Sequence, residues 1–230
     1  MDLLKPFLVI SDLQIPYEAK RALEFCVHIK KHYGIPDENV INIGDEFDCL
    51  HGGNWPKDPD TALSATGELG QAREKIKRWI SYFPKAMVCM SNHGMRWVKK
   101  ATMAEIPSQL MRSYKDVYGM PDSWVYQMTW TIKTKHPFLA KHGMDCSGKT
   151  PYRGSAESST ISTVFGHLHS SPGVCYVKTP EKYVWSMNSG CLIDVEADAF
   201  RYERVNRFKP VLGCSVICNQ GSLPIFLPYE

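Results

Sequence analysis

Short apolar runs that break off into polar residues recur along the chain: 7-FLVIS-11, 40-VINIG-44, 86-AMVCMS-91, 138-FLAKHG-143 and 163-TVFGHLH-169. Each is rich in β-branched or bulky apolar side chains and is bounded by turn formers, which predicts a buried strand. Between them the apolar period lengthens to that of a helix. In 18-EAKRALEFCVHIKKHYG-34, Ala22, Phe25, Cys26 and Ile29 share one face and Gly34 supplies a stop. In 68-ELGQAREKIKRWISYF-83, Leu69, Ile76, Trp79 and Ile80 do the same, and Pro84 ends the helix. The segment 101-ATMAEIPSQLMRSY-114 predicts helix on both sides of Pro107, which can open a new one. The stretches 183–195 and 211–219 predict further strands. Strand–helix alternation predicts a layered α/β fold. The Gly- and Pro-rich stretch 49–67 predicts a long loop of the kind that serves as a lid or binding loop.

No internal repeat, low-complexity tract or linker divides the chain, so residues 1–230 read as one domain. A hydrophobic content of 43% with 22% charged residues fits a globular protein with a sizeable core. The net charge of +3 is too mild to argue for non-specific nucleic-acid binding, although it allows a local basic groove. None of the eight cysteines forms a Cys-x-x-Cys pair, which argues against a zinc ribbon; Cys214 and Cys218 read as packing residues. The first residues, MDLLKPFLVI, lack the marks of a secretory signal, and no apolar run approaches the ~20 residues of a membrane span. A cytoplasmic protein with free thiols and no membrane partner is the expectation.

The informative feature is what the five apolar runs carry at their ends. They finish in 12-DLQ-14, 44-GDEFD-48, 91-SNHG-94, 142-HG-143 and 166-GHLH-169. Sites in open α/β sheets form outside the carboxyl ends of strands. Asp12, Gln14, Asp45, Asp48, Asn92, His93, His142, His167 and His169 are therefore expected to converge. Carboxylate, imidazole and amide oxygen together suit divalent metals such as Mn²⁺, Fe²⁺, Zn²⁺ or Ni²⁺.

The order of these motifs resembles that of the calcineurin-like metallophosphoesterases: Asp-x-His, Gly-Asp-x-x-Asp, Gly-Asn-His, His-Gly and Gly-His-x-His. The resemblance spans residues 12 to 169. It implies a four-layer α/β/β/α sandwich, two mixed β-sheets flanked by helices, and a two-metal site at one edge of the paired sheets. It also implies roles. Asp12 and His169 would bind one metal, Asn92, His142 and His167 the other, and Asp45 would bridge them. His93 would contact the substrate phosphate and protonate the leaving group, and Asp48 would orient His93 or a ligand. Two ions roughly 3.5–4 Å apart stabilise both the attacking and the leaving oxygen of a phosphoryl transfer.

Three positions depart from the family pattern. Ser91 stands in place of a glycine, Gly94 in place of an acidic residue, and Gln14 in place of a histidine. Ser91 is compatible with the pattern if its backbone needs no positive φ. The amide oxygen of Gln14 reaches about as far as an imidazole nitrogen but is a weaker, harder donor. The expectation is a looser first metal and a preference for Mn²⁺, with Fe²⁺, Zn²⁺, Ni²⁺ and Mg²⁺ as alternatives.

Serine/threonine phosphatases of the superfamily carry an arginine directly after Gly-Asp-x-x-Asp, where this chain has Cys49. The resemblance is therefore closer to the phosphodiesterase and nuclease branches, some of whose small members are encoded by bacteria and phages. Those branches imply a phosphoester partner of nucleotide or nucleic-acid type. A phosphomonoesterase, or a non-catalytic metal-binding relative, is the alternative. Candidate substrate contacts are His51, Asn54, Trp55 and Lys57 in the long loop, with Arg96, Lys141 and Arg153 as phosphate partners.

Overall fold

The computed structural model describes residues 2–54, 57, 63–197, 199–200 and 207–229. The elements run β1 (Phe7–Ile10), α1 (Ala22–His32), β2 (Val40–Asn42), α2 (Ala65–Tyr82), β3 (Ala86–Cys89), α3 (Arg96–Met103), α4 (Tyr114–Tyr118), β4 (Trp124–Gln127) and β5 (Thr129–Ile132). They continue with β6 (Phe138–Lys141), α5 (Pro151–Ser158), β7 (Ser162–Phe165), β8 (Gly173–Lys178), β9 (Tyr183–Asn188), β10 (Gly213–Cys218) and β11 (Leu223–Pro228).

The strands form two mixed sheets. The first has the order β11-β10-β1-β2-β3-β4 and the second β5-β6-β7-β9-β8. In the first, β1 to β4 are parallel, while β10 and β11 run against their neighbours. In the second, β6, β7 and β9 are parallel, with β5 and β8 antiparallel at the edges.

Strand alternation divides the apolar residues between two cores. Phe7, Val9, Ile41 and Met87 of the first sheet pack with Phe138, Ala140, Val164 and Trp185 of the second. Leu8, Ile10, Val40 and Val88 point the other way and meet Cys26 and Ile29 of α1 and Ile76 and Trp79 of α2. Helix α5 packs on β8 and β9. Every strand with helices or sheets on both faces is therefore buried along its length, as the apolar runs require.

Several boundaries differ from the sequence expectation. Helix α1 starts at Ala22 rather than at residue 18, because Glu18 pairs with Ile193 and the Ala19 N–H donates to the Leu192 carbonyl. Helix α2 starts at Ala65, where the Ser64 hydroxyl caps it by accepting from the Gly67 N–H. The helix expected over 101–114 is instead α3, a left-handed Glu105, a 3-10 turn at Ser108–Leu110 and α4. A proline disfavours helical geometry in the residue before it, so the chain breaks ahead of Pro107. The strand expected over 183–195 ends at Asn188, and the left-handed Gly190 turns the chain where a Cβ would meet the Val211 carbonyl. All the cysteines are free, and among the described residues no helix is long and apolar enough to cross a membrane.

Candidate metal centre

Five parallel strands bring their carboxyl ends to one place: β1, β2 and β3 from the first sheet, and β6 and β7 from the second. The loops after β1 and β2 are stitched together by backbone hydrogen bonds. Asp12 N–H donates to the Gly44 carbonyl (3.2 Å), Gln14 N–H to Asp45 (2.8 Å) and Ile15 N–H to Glu46 (2.9 Å). The Leu192 N–H holds the Asp12 carbonyl at 3.1 Å. This mesh keeps Asp12, Gln14 and Asp45 left-handed, with φ of 47°, 48° and 52°, and His167 shares that region at 71°. Such geometry is strained for a residue other than glycine, and it concentrates at functional sites.

Glycines let the loops approach. A Cβ on Gly44 (φ +100°) would meet Ser91 Cβ at 2.7 Å and His142 Nδ1 at 3.0 Å. A Cβ on Gly166 would collide with Ser11 Oγ and Asp12 Oδ2. Ser91 and Gly94 both lack positive φ, so serine fits at 91 without strain. Its buried hydroxyl accepts from the Gly94 N–H (3.3 Å).

Asp45, His142 and His167 bring ligand atoms within 4.8 Å of one another, a set able to hold a metal ion. The His142 Nδ1–H donates to the Ile43 carbonyl at 2.9 Å, which turns Nε2 toward Asp45 Oδ2 (3.3 Å) and Asn92 Oδ1 (2.7 Å). A ring fixed through Nδ1 and facing two oxygens with Nε2 is oriented as metal-ligating histidines are. Asp12 lies at the other side of the cluster. Its Oδ2 accepts from Ser11 Oγ and from the His167 N–H (3.0 Å), and its Oδ1 is 3.2 Å from His169 Nε2. Gln14 reaches the same histidine, Nε2 to Nε2 at 3.2 Å, and leaves its Oε1 buried without a partner. An orphaned amide oxygen beside a carboxylate and an imidazole is a ready donor to a hard cation.

The charges fit a cation as well. Burial works to raise the Asp45 pKa, but His142 and His93 overcome it and hold the carboxyl well below its usual range. Burial likewise opposes ionisation of Asp12, and the hydrogen bond and charge of His169 outweigh it, so its pKa falls. Burial disfavours charge on His142, yet Asp45 and Asp12 lift its pKa to about 9. Burial and the neighbouring His142 push His167 down. Two buried carboxylates that draw a proton onto His142 will also draw a divalent ion, which can take the proton's place.

His93 stands beside this cluster. Its Nδ1 lies 3.1 Å from Asp48 Oδ1 and its Nε2 3.7 Å from Asp45 Oδ2, while its N–H donates to Asp45 Oδ1 (3.1 Å). Arg96, one turn on at the start of α3, donates from Nη2 to His93 Nε2 (2.6 Å) and from Nη1 to the Asp48 carbonyl (2.7 Å). The expected catalytic pair and one expected phosphate partner are thus in contact.

Other expected contacts lie elsewhere. Arg153 is exposed on α5 and pairs with Glu157 at 2.9 Å, because helical spacing puts an acid one turn away. Lys141 pairs with Asp145. His51 is tied into its loop, its ring to the Leu63 carbonyl and its N–H near Glu68, whose carboxylate also accepts from Leu50 N–H at 2.7 Å. Asn54 is exposed, Lys57 donates to the Gly53 carbonyl (2.7 Å), and Trp55 lies outside the described residues. Cys49 is buried, with Sγ 3.1 Å from the Tyr118 hydroxyl. The sequence reading missed Ser11, which abuts the Asp12 carboxylate, and Glu68, which anchors the loop after Asp48. Ser11 next to Asp12 carried a faint signal; Glu68, on a helix that reads as amphipathic, carried none. No protein-family model matches the chain, and no curated protein sequence matches it.

Proposed function

We propose that this protein is a metal-dependent phosphoester hydrolase of the calcineurin-like type, acting on diesters of nucleotide or nucleic-acid character. The observation that carries the reading is the convergence of motif residues from five strand ends, two sheets and some 157 positions of chain on one buried Asp–His cluster. The core shared by the two sheets and the helices on their outer faces favour the four-layer arrangement of that family.

In this reading Asp12 and His169, with Gln14 beside them, would hold one divalent ion, and Asn92, His142 and His167 would hold a second, with Asp45 available to either. The mixed oxygen and nitrogen set favours Mn²⁺. Divalent ions there supply Lewis-acid stabilisation of the attacking and leaving oxygens and make water acidic enough to ionise near neutral pH. The remaining work falls to the side chains. Asp48 Oδ1 stands 3.1 Å from His93 Nδ1 without an aligned hydrogen bond, and His93, when protonated, would deliver a proton from Nε2 to the leaving oxygen. Arg96 binds a phosphoryl oxygen and thereby releases His93 Nε2 from its present contact. The packed position of Cys49, where phosphatases of the superfamily present an arginine, favours a diester over a phosphoprotein.

The test is hydrolysis of bis-p-nitrophenyl phosphate with added Mn²⁺, by the wild type and His93→Ala. Turnover that needs both metal and His93 supports the reading. Equal background from both proteins rejects it.

A further inference from the structure

Three cations hold the stretch of chain that follows the metal-binding loop after β2. Arg96 donates from Nη1 to the Asp48 carbonyl, Lys100 from Nζ to the His51 carbonyl and Lys57 from Nζ to the Gly53 carbonyl, each at 2.7 Å. The row starts beside the metal cluster, where Arg96 also meets His93. Gly52 lets this stretch and α3 close on each other, since a Cβ there would meet Arg96 Cβ at 2.7 Å. A backbone carbonyl positions a cation without cancelling its charge. Among the described residues no carboxylate pairs with Lys57 or Lys100. The acids whose charge reaches Lys57, Glu68 and Asp48, are buried and engaged: Glu68 with the Leu50 and His51 N–H groups, Asp48 beside His93 and Arg96. Burial pulls the Lys57 pKa down, and the charges of Lys100 and Arg96 add to that pull, so the three cations feel one another. An ammonium carries three N–H donors and a guanidinium five, so each keeps donors for an anion. Lys100 Nζ also lies 5.9 Å from the ring centre of Trp97, a tryptophan that is 39% exposed.

We propose that this row binds single-stranded nucleic acid and leads it to the metal cluster, with Arg96, Lys100 and Lys57 on backbone phosphates and Trp97 under a base. Arg96 and Lys100 stand four residues apart on α3, about 6 Å along its axis, so they meet different phosphates of one strand rather than a single anion. Cations that track a backbone beside an aromatic ring on which a base stacks are the two parts of a sequence-tolerant strand site. An acidic peptide offers a line of anions but no flat ring for Trp97, and a lone nucleotide is too short for the row. A duplex keeps its bases stacked inward and cannot lower a phosphate to ligands as buried as Asp45 and His142. The mild overall charge is no obstacle, because the cations are gathered at one place. The inference rests on the phosphoester reading for what happens to the strand at the metal cluster; strand binding itself does not need it.

Fluorescence anisotropy of a labelled oligothymidylate with the full chain in chelator reads binding without hydrolysis. The wild type binds, and log affinity falls linearly with log salt concentration. Lys100→Gln makes that slope shallower by about 0.7, the value of one phosphate contact on a single strand, and Lys100→Arg retains it. Trp97→Ala loses about fivefold or more in affinity, Trp97→Phe loses less, and the slope holds in both. Melting temperatures establish that the variants are folded, and the two conservative variants serve as comparators if the others are not. The same strand annealed to its complement, and the same backbone without bases, each bind about fivefold or more weakly. Absence of binding by the wild type overturns the proposal. So does an unchanged slope in Lys100→Gln, an unchanged affinity in Trp97→Ala, or equal binding of the duplex or the base-free strand. Turnover of bis-p-nitrophenyl phosphate is measured apart: turnover without strand binding sinks this inference alone, and strand binding without turnover sinks the hydrolase reading alone.

Discussion

Gly166→Ala probes how tightly the cluster is built. The added methyl would strike Ser11 Oγ and Asp12 Oδ2 and come within 3.3 Å of Ile43 Cδ1. Carbon contacts normally settle at about 3.5–4.0 Å, so something must move. Ile43 is fully buried between the sheets, which leaves the Asp12 carboxylate to turn. Turning it sacrifices the hydrogen bond from the His167 N–H and the approach of His169 Nε2. A hydrogen bond to a charged group is worth about 1.5–3 kcal/mol, and overpacking costs about 1–3 kcal/mol. The variant should therefore lose roughly 3–6 kcal/mol, a large share of the ~5–15 kcal/mol that holds a domain folded. Urea unfolding in chelator measures this loss. Repeating it with Mn²⁺ at 100 times the wild-type Kd measures the metal's contribution. The wild type gains about 2.7 kcal/mol from the metal, and a tenfold weaker site gains only about 1.4 kcal/mol. Gly154→Ala is the control, since nothing lies within 4 Å of a Cβ there in α5. It should gain about 0.5–1 kcal/mol from helix propensity and keep the full metal increment. A Gly166→Ala protein with wild-type stability and wild-type metal response would refute both the packing argument and the place of Asp12 in the site.

Gln14→His puts an imidazole where the orphaned amide oxygen now sits, and isothermal titration should find Mn²⁺ and Zn²⁺ bound about tenfold or more tightly. Unchanged affinity would place residue 14 outside the metal's reach. Asp48→Asn keeps the shape but removes the charge 3.1 Å from His93 Nδ1, so diester turnover should fall about 10–100-fold while metal affinity holds. Loss of metal affinity instead would make Asp48 a support of the ligands rather than of His93. Glu18→Gln tests a pH effect away from the site: burial raises the Glu18 pKa despite Lys75. A raised folded pKa means that the native state takes the proton more readily, so this group's contribution is fully present below the unfolded pKa and is lost as pH rises through the folded one. The variant should show a shallower fall of melting temperature across that acidic window, and an unaltered slope would contradict the assignment.

The parts of the fold that could be read from the chain are those buried on both sides. β1, β2, β3 and β7 are covered on both faces, so every residue of each is apolar or fully buried and the runs stand out. The strands that went unread are β4, β5, β8 and β11, and they are the four edges of the two sheets. An edge strand with one wet face carries a broken pattern such as WVYQ or TWTI, which short-window periodicity does not separate from loop. The same logic applies to the site. The carboxylates and histidines were legible because they close strands whose direction was already fixed. Arg96 was visible only as a free cation, because its contact with His93 depends on α3 starting one turn after the β3 loop. A mostly apolar cavity of about 260 Å³ lined by Met90, Val98, Tyr114 and Tyr126 was invisible, since α3, α4 and β4 come together there only in three dimensions.

Backbone conformation was the least legible feature, and it bears most directly on Gln14. Aspartate and histidine visit the left-handed region several-fold more often than most residues, so Asp12, Asp45 and His167 tolerate it comparatively well. Glutamine has no such preference, and holding it at φ 48° costs on the order of 1–3 kcal/mol. A glutamine that merely finished a polar strand end would relax into extended geometry and turn its amide to water. Instead its N–H is fastened to the Asp45 carbonyl, its side chain lies 1% exposed against His169, and its Oε1 faces the interior unpaired. Strain and an unsatisfied oxygen at one residue are two penalties with a common remedy. A cation at the Asp12–His169 edge would take the oxygen as a donor and make the strained geometry useful, which is why residue 14 is the position where metal affinity should respond most.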